Sequence, residues 1–325
     1  MTTRGPLGEI AGAVEPARPR PRDALDGLTI VVPGSISNLG PGFDALAVAV
    51  DLYLRVRVVG VRPGAPDSIA FDFGGAAPPG ENRIETAYRL ARQRAGRSVP
   101  GLHVEVRSDI PFRAGLGSSG AATIAGLRLY ELAAGVEPAL DVLSLACTLE
   151  GHPDNAAASL LGGLTLGCLC GDGRVLARSW PWPPGIRFIV ATPALELETA
   201  VARRALPASL PLADAVFNLQ RALLLVHALG SGRYDDLREA LADRWHQPHR
   251  APLVPGLAEA LAFEHPGLLG VCLSGAGPSI AALAVDRFDE IASLFQDLYR
   301  RLGMACTVRT LAAAGGASPA APPSG

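Results

Sequence analysis

The sequence predicts an α+β fold of about two domains. Strand-like and helical stretches alternate irregularly, without the regular repeat of a barrel or a doubly wound sheet. The 325 residues leave room for roughly two cores of ordinary size. The proline-rich Trp180-Pro-Trp-Pro-Pro-Gly185 is the natural boundary between them.

Leu28 to Val32 reads as a short buried strand, followed by the turn-rich segment 33–42 and the apolar segment Phe43 to Val50. Tyr53 to Val59 alternates with period two, as a half-exposed strand does. A loop through Pro63 to Pro79 leads to a helix over Asn82 to Ala95, and Leu102 to Arg107 is another alternating strand. Helices follow at Ser118 to Ala134, stopped by Gly135, and at Pro138 to Glu150. A third is expected at Ala156 to Leu161, before the strand Leu164 to Cys170. Beyond the boundary the pattern gives a strand at Arg187 to Ala191 and helices at Leu212 to Ala228 and Arg233 to Arg244. Strands at Gly270 to Leu273 and Ile280 to Val285, a helix at Phe288 to Leu302 and a strand at Ala305 to Leu311 close the chain. Segment 1–26 is rich in Pro, Arg and Gly and lacks the apolar stretch of a secretory signal. It is expected to be a disordered extension, and 313–325 a disordered tail.

Composition removes whole classes of function. The net charge is −2 and no basic footprint is concentrated anywhere, which argues against nucleic acid as a partner. No uninterrupted apolar run approaches the roughly 18 residues of a membrane span. All 29 basic residues are arginine. A P-loop NTPase and a Schiff-base enzyme both need a lysine, so both are excluded, and phosphate chemistry must rest on Arg, a metal ion and helix N-termini. The cysteines 147, 168, 170, 272 and 306 are scattered and read as buried thiols of a cytoplasmic protein. His246-x-x-His249 has Pro248 between the two imidazoles and no third ligand in sight, which disfavours a metal site.

The central glycine-rich segment carries the clearest chemistry. Pro111-Phe-Arg113-Ala114-Gly115-Leu116-Gly117-Ser118-Ser119-Gly120-Ala121 runs straight into a helix. Glycines let the backbone approach an anion, and the free N–H groups of a first helical turn point at it. The bland alternative is a serine-capped helix after a flexible turn. Gly115-x-Gly117-x-x-Gly120 also satisfies the dinucleotide fingerprint, but the βαβ context is missing. Two other glycine-rich loops, Ser35 to Asp44 and Leu273 to Ser279, are weak signals singly. Glu150-Gly-His-Pro-Asp-Asn155 is dense in functional side chains beside an apolar helix, which favours a site over a surface.

Together these segments resemble the GHMP family of small-molecule kinases, and within it the homoserine kinase branch. Ser35 to Asp44 is similar to the family's opening motif, Pro111 to Ala122 to its phosphate loop, and Gly270 to Ser279, with Ser274, Gly275, Ala276 and Gly277, to its third motif. Glu150 to Asn155, Thr199 to Pro207 and Asp243 to Gly256 resemble stretches particular to the branch. The resemblance implies a ribosomal-S5-like N-terminal ATP-binding domain over 27–184 and a ferredoxin-like C-terminal domain over 185–312. It implies a cytoplasmic, homodimeric enzyme of threonine biosynthesis that uses ATP and Mg²⁺ to phosphorylate L-homoserine. Asn38, Asp44, Asp154 and Asn155 would hold that substrate, with Asp44 at its ammonium group. Arg203 and Arg250 would face its carboxylate or the transferred phosphate, because the planar fork of Arg pairs with oxyanions. His152 would support the site, Thr199 would lie near the γ-phosphate and Asn82 would contact adenine. Ser119 and Glu150 would hold the metal, since Ser144 stands where some members carry Glu. Gly120 stands where Ala is usual. Relatives with an Asp–Lys base pair have no counterpart here: the chain lacks lysine and Asn155 occupies the Asp position. The reading is therefore that no side chain acts as general base and the γ-phosphate takes the hydroxyl proton. A mevalonate or sugar kinase, or a silent sensor of nucleotide or amino acid, are the alternatives.

Overall fold

The computed structural model describes residues 25–75, 80–135 and 141–320. The first half is a seven-stranded sheet built from β1 (Thr29–Ser37), β2 (Leu46–Arg62), β3 (Ile69–Asp72), β4 (Gly101–Ser108), β5 (Leu164–Leu169), β6 (Val175–Trp180) and, from the far end of the chain, β11 (Ser318–Ala320). Its order is β11-β1-β2-β4-β3, with β5 bridging β2 to β6. All pairings are antiparallel except β3 on β4. Helices α1 (Arg83–Ala95), α2 (Ser118–Ala134), α3 (Val142–Glu150) and α4 (Asp154–Leu161) accompany this sheet. The second half is a four-stranded antiparallel sheet in the order β10-β7-β9-β8, from β7 (Arg187–Pro193), β8 (Leu268–Leu273), β9 (Ile280–Ala284) and β10 (Cys306–Leu311). Around it lie α5 (Thr199–Arg204), α6 (Leu212–Ser231), α7 (Leu237–Ala240), α8 (Gln247–Arg250), α9 (Leu257–Leu261) and α10 (Phe288–Arg301).

The predicted α+β class holds. β2 shows why the strands sit where they do. Leu46 to Val50 are buried on both faces: Ala47 and Ala49 pack with Ala158 and Ala314, and Leu46, Val48 and Val50 join the main core. From Asp51 onward burial alternates, with Leu52, Leu54, Val56 and Val58 facing inward, which is the period-two signature of a one-sided strand. The main apolar core is continuous across the expected boundary, since Phe188, Val190, Leu225, Cys272 and Leu283 join residues of the first sheet. A second cluster packs α10, through Ile291, Phe295 and Leu298, on the other face of the smaller sheet, against Ile189, Ala191, Ala282 and Ala284.

The structure corrects several expectations. β1 runs on to Ser37, into the segment read as turns, because a bulge between Pro33 and Gly34 absorbs the missing donor and lets Ile36 stay in the core, while 38–42 turn as expected. β3 and β6 were not expected: both are short, and pairing with β4 and β5 rather than local pattern creates them. The helix expected over 233–244 is a single 3₁₀ turn, Tyr234–Asp236, plus the four-residue α7. It stops because the Asp243 carboxylate accepts the N–H groups of Trp245, His246 and Gln247 and so starts a new turn. The tail expected to be disordered is structured through Ala320, with Ser318–Ala320 paired to Val31–Thr29. Segment 1–24 and residues 321–325 lie outside the described residues, as does the predicted helix start at Pro138. Only Cys147 and Cys272 are buried thiols; Cys168 is exposed because it points from β5 to solvent, and Cys170 and Cys306 are partly exposed. Among the described residues α6 has the length and apolarity to cross a membrane, yet it carries Asp214 and Arg221 and ties Asn218 to Asp243.

Candidate active site

A cleft of about 690 Å³ is lined by the β1–β2 loop, the start of α1, the loop into α2, the α3–α4 turn, α5, α8 and the β8–β9 loop, with side chains of β2 and β4 and Phe73 after β3 behind them. Main-chain bonds knit three of these together. Ser35 N donates to Leu116 O at 3.1 Å, Gly275 N to Ser37 O at 3.1 Å and Ser279 N to Ala114 O at 3.1 Å. Gly115 has φ +74°, and a Cβ there would meet Ser274 O at 2.3 Å, so the phosphate-type loop can lie on the β8–β9 loop only with glycine at this point.

At the α2 end, Gly117 takes φ +74° as the N-cap and Ser118 begins the helix, leaving first-turn N–H groups directed at the cleft. Glu150 Oε1 accepts from Ser119 Oγ at 2.9 Å and Thr123 Oγ1 at 2.7 Å, and lies 3.8 Å from Arg83 Nε. A carboxylate beside a hydroxyl at a helix N-terminus is a hard oxygen set of the kind Mg²⁺ takes. Ser144 instead caps α3 with Asp141 and stands outside the cleft. Gly120 also has a reason: a Cβ there would meet Asn155 Cβ at 2.9 Å, so glycine lets α2 press against α4. Asn155 is pinned between serines, donating to Ser35 Oγ at 2.9 Å and accepting from Ser37 Oγ at 3.3 Å.

The opposite end is rich in fixed charge. Asp44, at φ +55°, has its N–H held by Asn38 Oδ1 at 3.0 Å. Its two oxygens take both terminal nitrogens of Arg203, at 2.9 and 2.7 Å, in a bidentate fork. The residues assigned to an ammonium and an oxyanion thus pair with each other. Arg250 is 2% exposed and, among the described residues, hydrogen-bonds only carbonyls and a ring nitrogen: Gly275 O, Ala202 O and His246 Nδ1. Burial, then the nearby Arg203 charge, lowers its pKa to about 10, so it remains cationic at neutral pH. Both guanidinium groups lie over the Phe43 ring, at 5.5 Å for Arg203 and 5.3 Å for Arg250. His152 Nδ1 bonds Asp154 Oδ1, which also accepts from Asn155 N at 2.8 Å. Burial pushes the His152 ring toward neutrality, but the Asp154 hydrogen bond and the charges of Asp154 and Asp44 outweigh it and raise its pKa.

Asn38, Asp44, Asn82, Arg113 to Gly120, Glu150, His152, Asp154, Asn155, Thr199, Arg203, Arg250 and Gly275 to Gly277 all line this one cleft. Asn82 also caps α1, accepting from Glu85 N, and Arg113 pairs with Glu196 and Glu198. Three residues assigned from sequence stand outside the lining. Ser274 is fully buried and spends its hydroxyl on Gly115 O at 2.6 Å; Ala121 packs inward from α2; Pro111 lies before the loop turns in. His246 is buried and His249 exposed, so they do not converge as ligands. Sequence reasoning missed Ser35, Ser37 and Thr123, whose partners are reached only through the fold, and the apolar wall of Leu54, Phe73, Val106 and Phe112.

The family model described as GHMP kinases N terminal domain matches residues 82–163, and that described as GHMP kinases C terminal matches 225–302. Homoserine kinase of one Thermus thermophilus strain is 42% identical over 258 residues, covering 78% of this chain and 86% of that one. Homoserine kinase of Moorella thermoacetica is 38% identical over 287 residues, covering 86% and 95%. The crystal structure of homoserine kinase from Cytophaga hutchinsonii superposes with a TM-score of 0.78 at 24% identity, covering 90% of this chain and 97% of that one, a likeness of fold.

Proposed function

Because the chain belongs to the GHMP kinase family, we propose that its cleft transfers the γ-phosphoryl group of ATP to the hydroxyl of L-homoserine, giving ADP and O-phospho-L-homoserine for threonine biosynthesis. The observation that carries the choice of acceptor is the Asp44 carboxylate near Arg250, a buried guanidinium whose hydrogen-bond partners are all neutral. Such a charge is costly unless an anion completes it. An α-amino acid offers a carboxylate to it and an ammonium group to Asp44 beside it. Arg203 bridges the two positions and can share its fork with the incoming carboxylate. A mevalonate or sugar kinase has no use for the Asp44 carboxylate at that place.

The other end of the cleft suits ATP. Leu54, Phe73, Val106 and Phe112 offer an apolar wall for the base, with Asn82 at its edge. The first turn of α2 offers its N–H groups to the phosphates, and Arg113 and Thr199 flank the loop. Ser119 and Glu150 fit a Mg²⁺ ion, with Thr123 orienting the carboxylate; bound there, the ion supplies charge neutralisation on the phosphate oxygens. Phosphoryl transfer passes through a loose transition state, so positioning and charge dominate and no strong base is required. Asn155 holds its place through Ser35 and Ser37, and being an amide it takes no proton. The homoserine proton passes to the γ-phosphate itself. The protein acts in the cytoplasm as a homodimer, for which the exposed leucines 212, 219 and 223 of α6 offer an apolar face.

The test is ADP release with L-homoserine, mevalonate, galactose and L-serine as acceptors. Turnover is expected with L-homoserine at a KM at least about tenfold below that for any other acceptor. Turnover with another acceptor alone would overturn the substrate while leaving the family intact.

A further inference from the structure

The carboxylate-facing arginine is itself held by a histidine that the chemistry above leaves unused. Arg250 donates from Nε to Ala202 O at 3.3 Å and from Nη1 to Gly275 O at 3.0 Å, and Nη1 also lies 3.3 Å from His246 Nδ1. His246 is fully buried, and its Nε2 stands 2.8 Å from the carbonyl of Gly40. A carbonyl only accepts, so Nε2 carries the ring proton and Nδ1 presents a lone pair to Arg250. Gly40 keeps that carbonyl in place: it adopts φ +72°, and a Cβ there would meet Leu241 O at 2.2 Å. With Nε and Nη1 engaged, Nη2 is the nitrogen left for the cleft.

Resting on the homoserine reading above, we propose that His246 is a positioning residue, an imidazole locked by the Gly40 carbonyl that aims Arg250 at the substrate's carboxylate. It sets affinity for the amino acid rather than the rate of phosphoryl transfer. The groups around the ring are the Asp243 carboxylate, 3.6 Å from Nε2, the Arg250 guanidinium, the charge of Asp44 and the Phe43 ring with its centroid at 5.3 Å. Burial holds the imidazole below its ordinary range; Asp243 opposes this and Arg250 adds to it. The ring stays neutral, so its acceptor is available to Arg250 throughout the neutral range.

The experiment compares His246→Phe, which removes both ring hydrogen bonds, with His246→Gln, whose amide offers a donor and an acceptor. In His246→Phe the KM for L-homoserine should rise about tenfold, the scale of one charge-assisted hydrogen bond, while kcat and the KM for ATP move less than about threefold. His246→Gln should recover most of that loss. Equal shifts in both KM values, a fall in kcat alone, or a Gln variant no better than Phe would overturn the proposal. Should the Phe variant not fold, the long-range ¹H–¹⁵N spectrum of the wild-type chain decides. It should show the Nε2–H tautomer, unchanged between about pH 7 and pH 8.5. An Nδ1–H tautomer or an ordinary titration would overturn it. A wild-type chain inactive on homoserine would sink the substrate reading, while the spectrum would still decide how Arg250 is held.

Discussion

Among the described residues five carboxylates line the cleft, and each already has a donor. Arg203 takes Asp44, Thr86 takes Glu81, Ser119 and Thr123 take Glu150, His152 takes Asp154 and Arg113 takes Glu198. Asp154 is the one whose removal best tests the absence of a general base, since it is buried at the centre of the site. A residue that removes the hydroxyl proton contributes about 10²–10⁴-fold to the rate. Asp154→Asn keeps an acceptor for Asn155 N and for His152, so its kcat should fall by less than about tenfold, with a larger rise in the KM for homoserine. Steady-state rates from about pH 6 to pH 9 check this, and a kcat loss above about 10³-fold at normal homoserine binding would show Asp154 to be the base. At this scale the sequence was legible wherever a residue type stood in a motif, as with Asp44, Arg203 and Glu150. Thr123 was not legible: a lone threonine in a helix carries no signal until a partner 27 residues away is folded against it, and Ser37 stood in the opening motif with no sign that its hydroxyl serves Asn155, 118 residues on.

The elements that mattered most for the site are the short ones. α8 is four residues long, too short to stand on its own propensity, and it exists because Asp243 captures the N–H groups of Trp245, His246 and Gln247. Asn218 of α6 completes the arrangement by donating to Asp243 Oδ1 at 2.6 Å and accepting from Arg244 N at 2.9 Å. Asp243→Ala therefore leaves several donors without partners and should cost about 2–4 kcal/mol, measured as the shift in urea midpoint at constant m. Because α8 carries Arg250, the same variant should raise the KM for homoserine more than that for ATP. Equal kinetic constants in a destabilised variant would separate the cap from the site. Long periodic elements such as α1 and α2 could be read from the chain nearly to their ends, since Asn82 and Gly96 cap α1 and Gly135 closes α2 with ordinary chemistry. The run 233–244 looked like one helix because Asp243 scores as an ordinary polar position until its side chain is seen turning back on the backbone.

On the scale of the whole molecule, the last described strand pairs with the first. After β10 closes the smaller sheet, residues 313–320 return to the larger one: Ala314 N donates to Ala49 O, Gly163 N to Ala314 O and Ala317 N to Ser159 O, each at 2.9 Å. Ser318–Ala320 then pair along β1, whose other edge is taken by β2, and Ala314 joins Ala47, Ala49 and Ala158 in a small apolar cluster. Nothing in Ala-Ala-Gly-Gly-Ala-Ser-Pro-Ala marks a strand, because small residues and a proline carry weak β propensity. What selects the strand is an open edge of β1 and a surface too crowded for larger side chains: a Cβ at Gly316 would meet Leu160 O at 2.3 Å. The segment is thus a clasp joining the end of the second sheet to the first, and no described residue beyond Gly277 lines the cleft. A chain ending at Ala312 loses those main-chain bonds and uncovers β1, and should be about 2–4 kcal/mol less stable by urea unfolding, counting roughly 1 kcal/mol per hydrogen bond. Its KM values for ATP and homoserine at a permissive temperature should stay within about twofold of the full chain, since the clasp touches neither substrate. An unchanged unfolding midpoint would mean that the edge of β1 needs no partner, and altered KM values would mean that the clasp reaches the cleft through the first sheet.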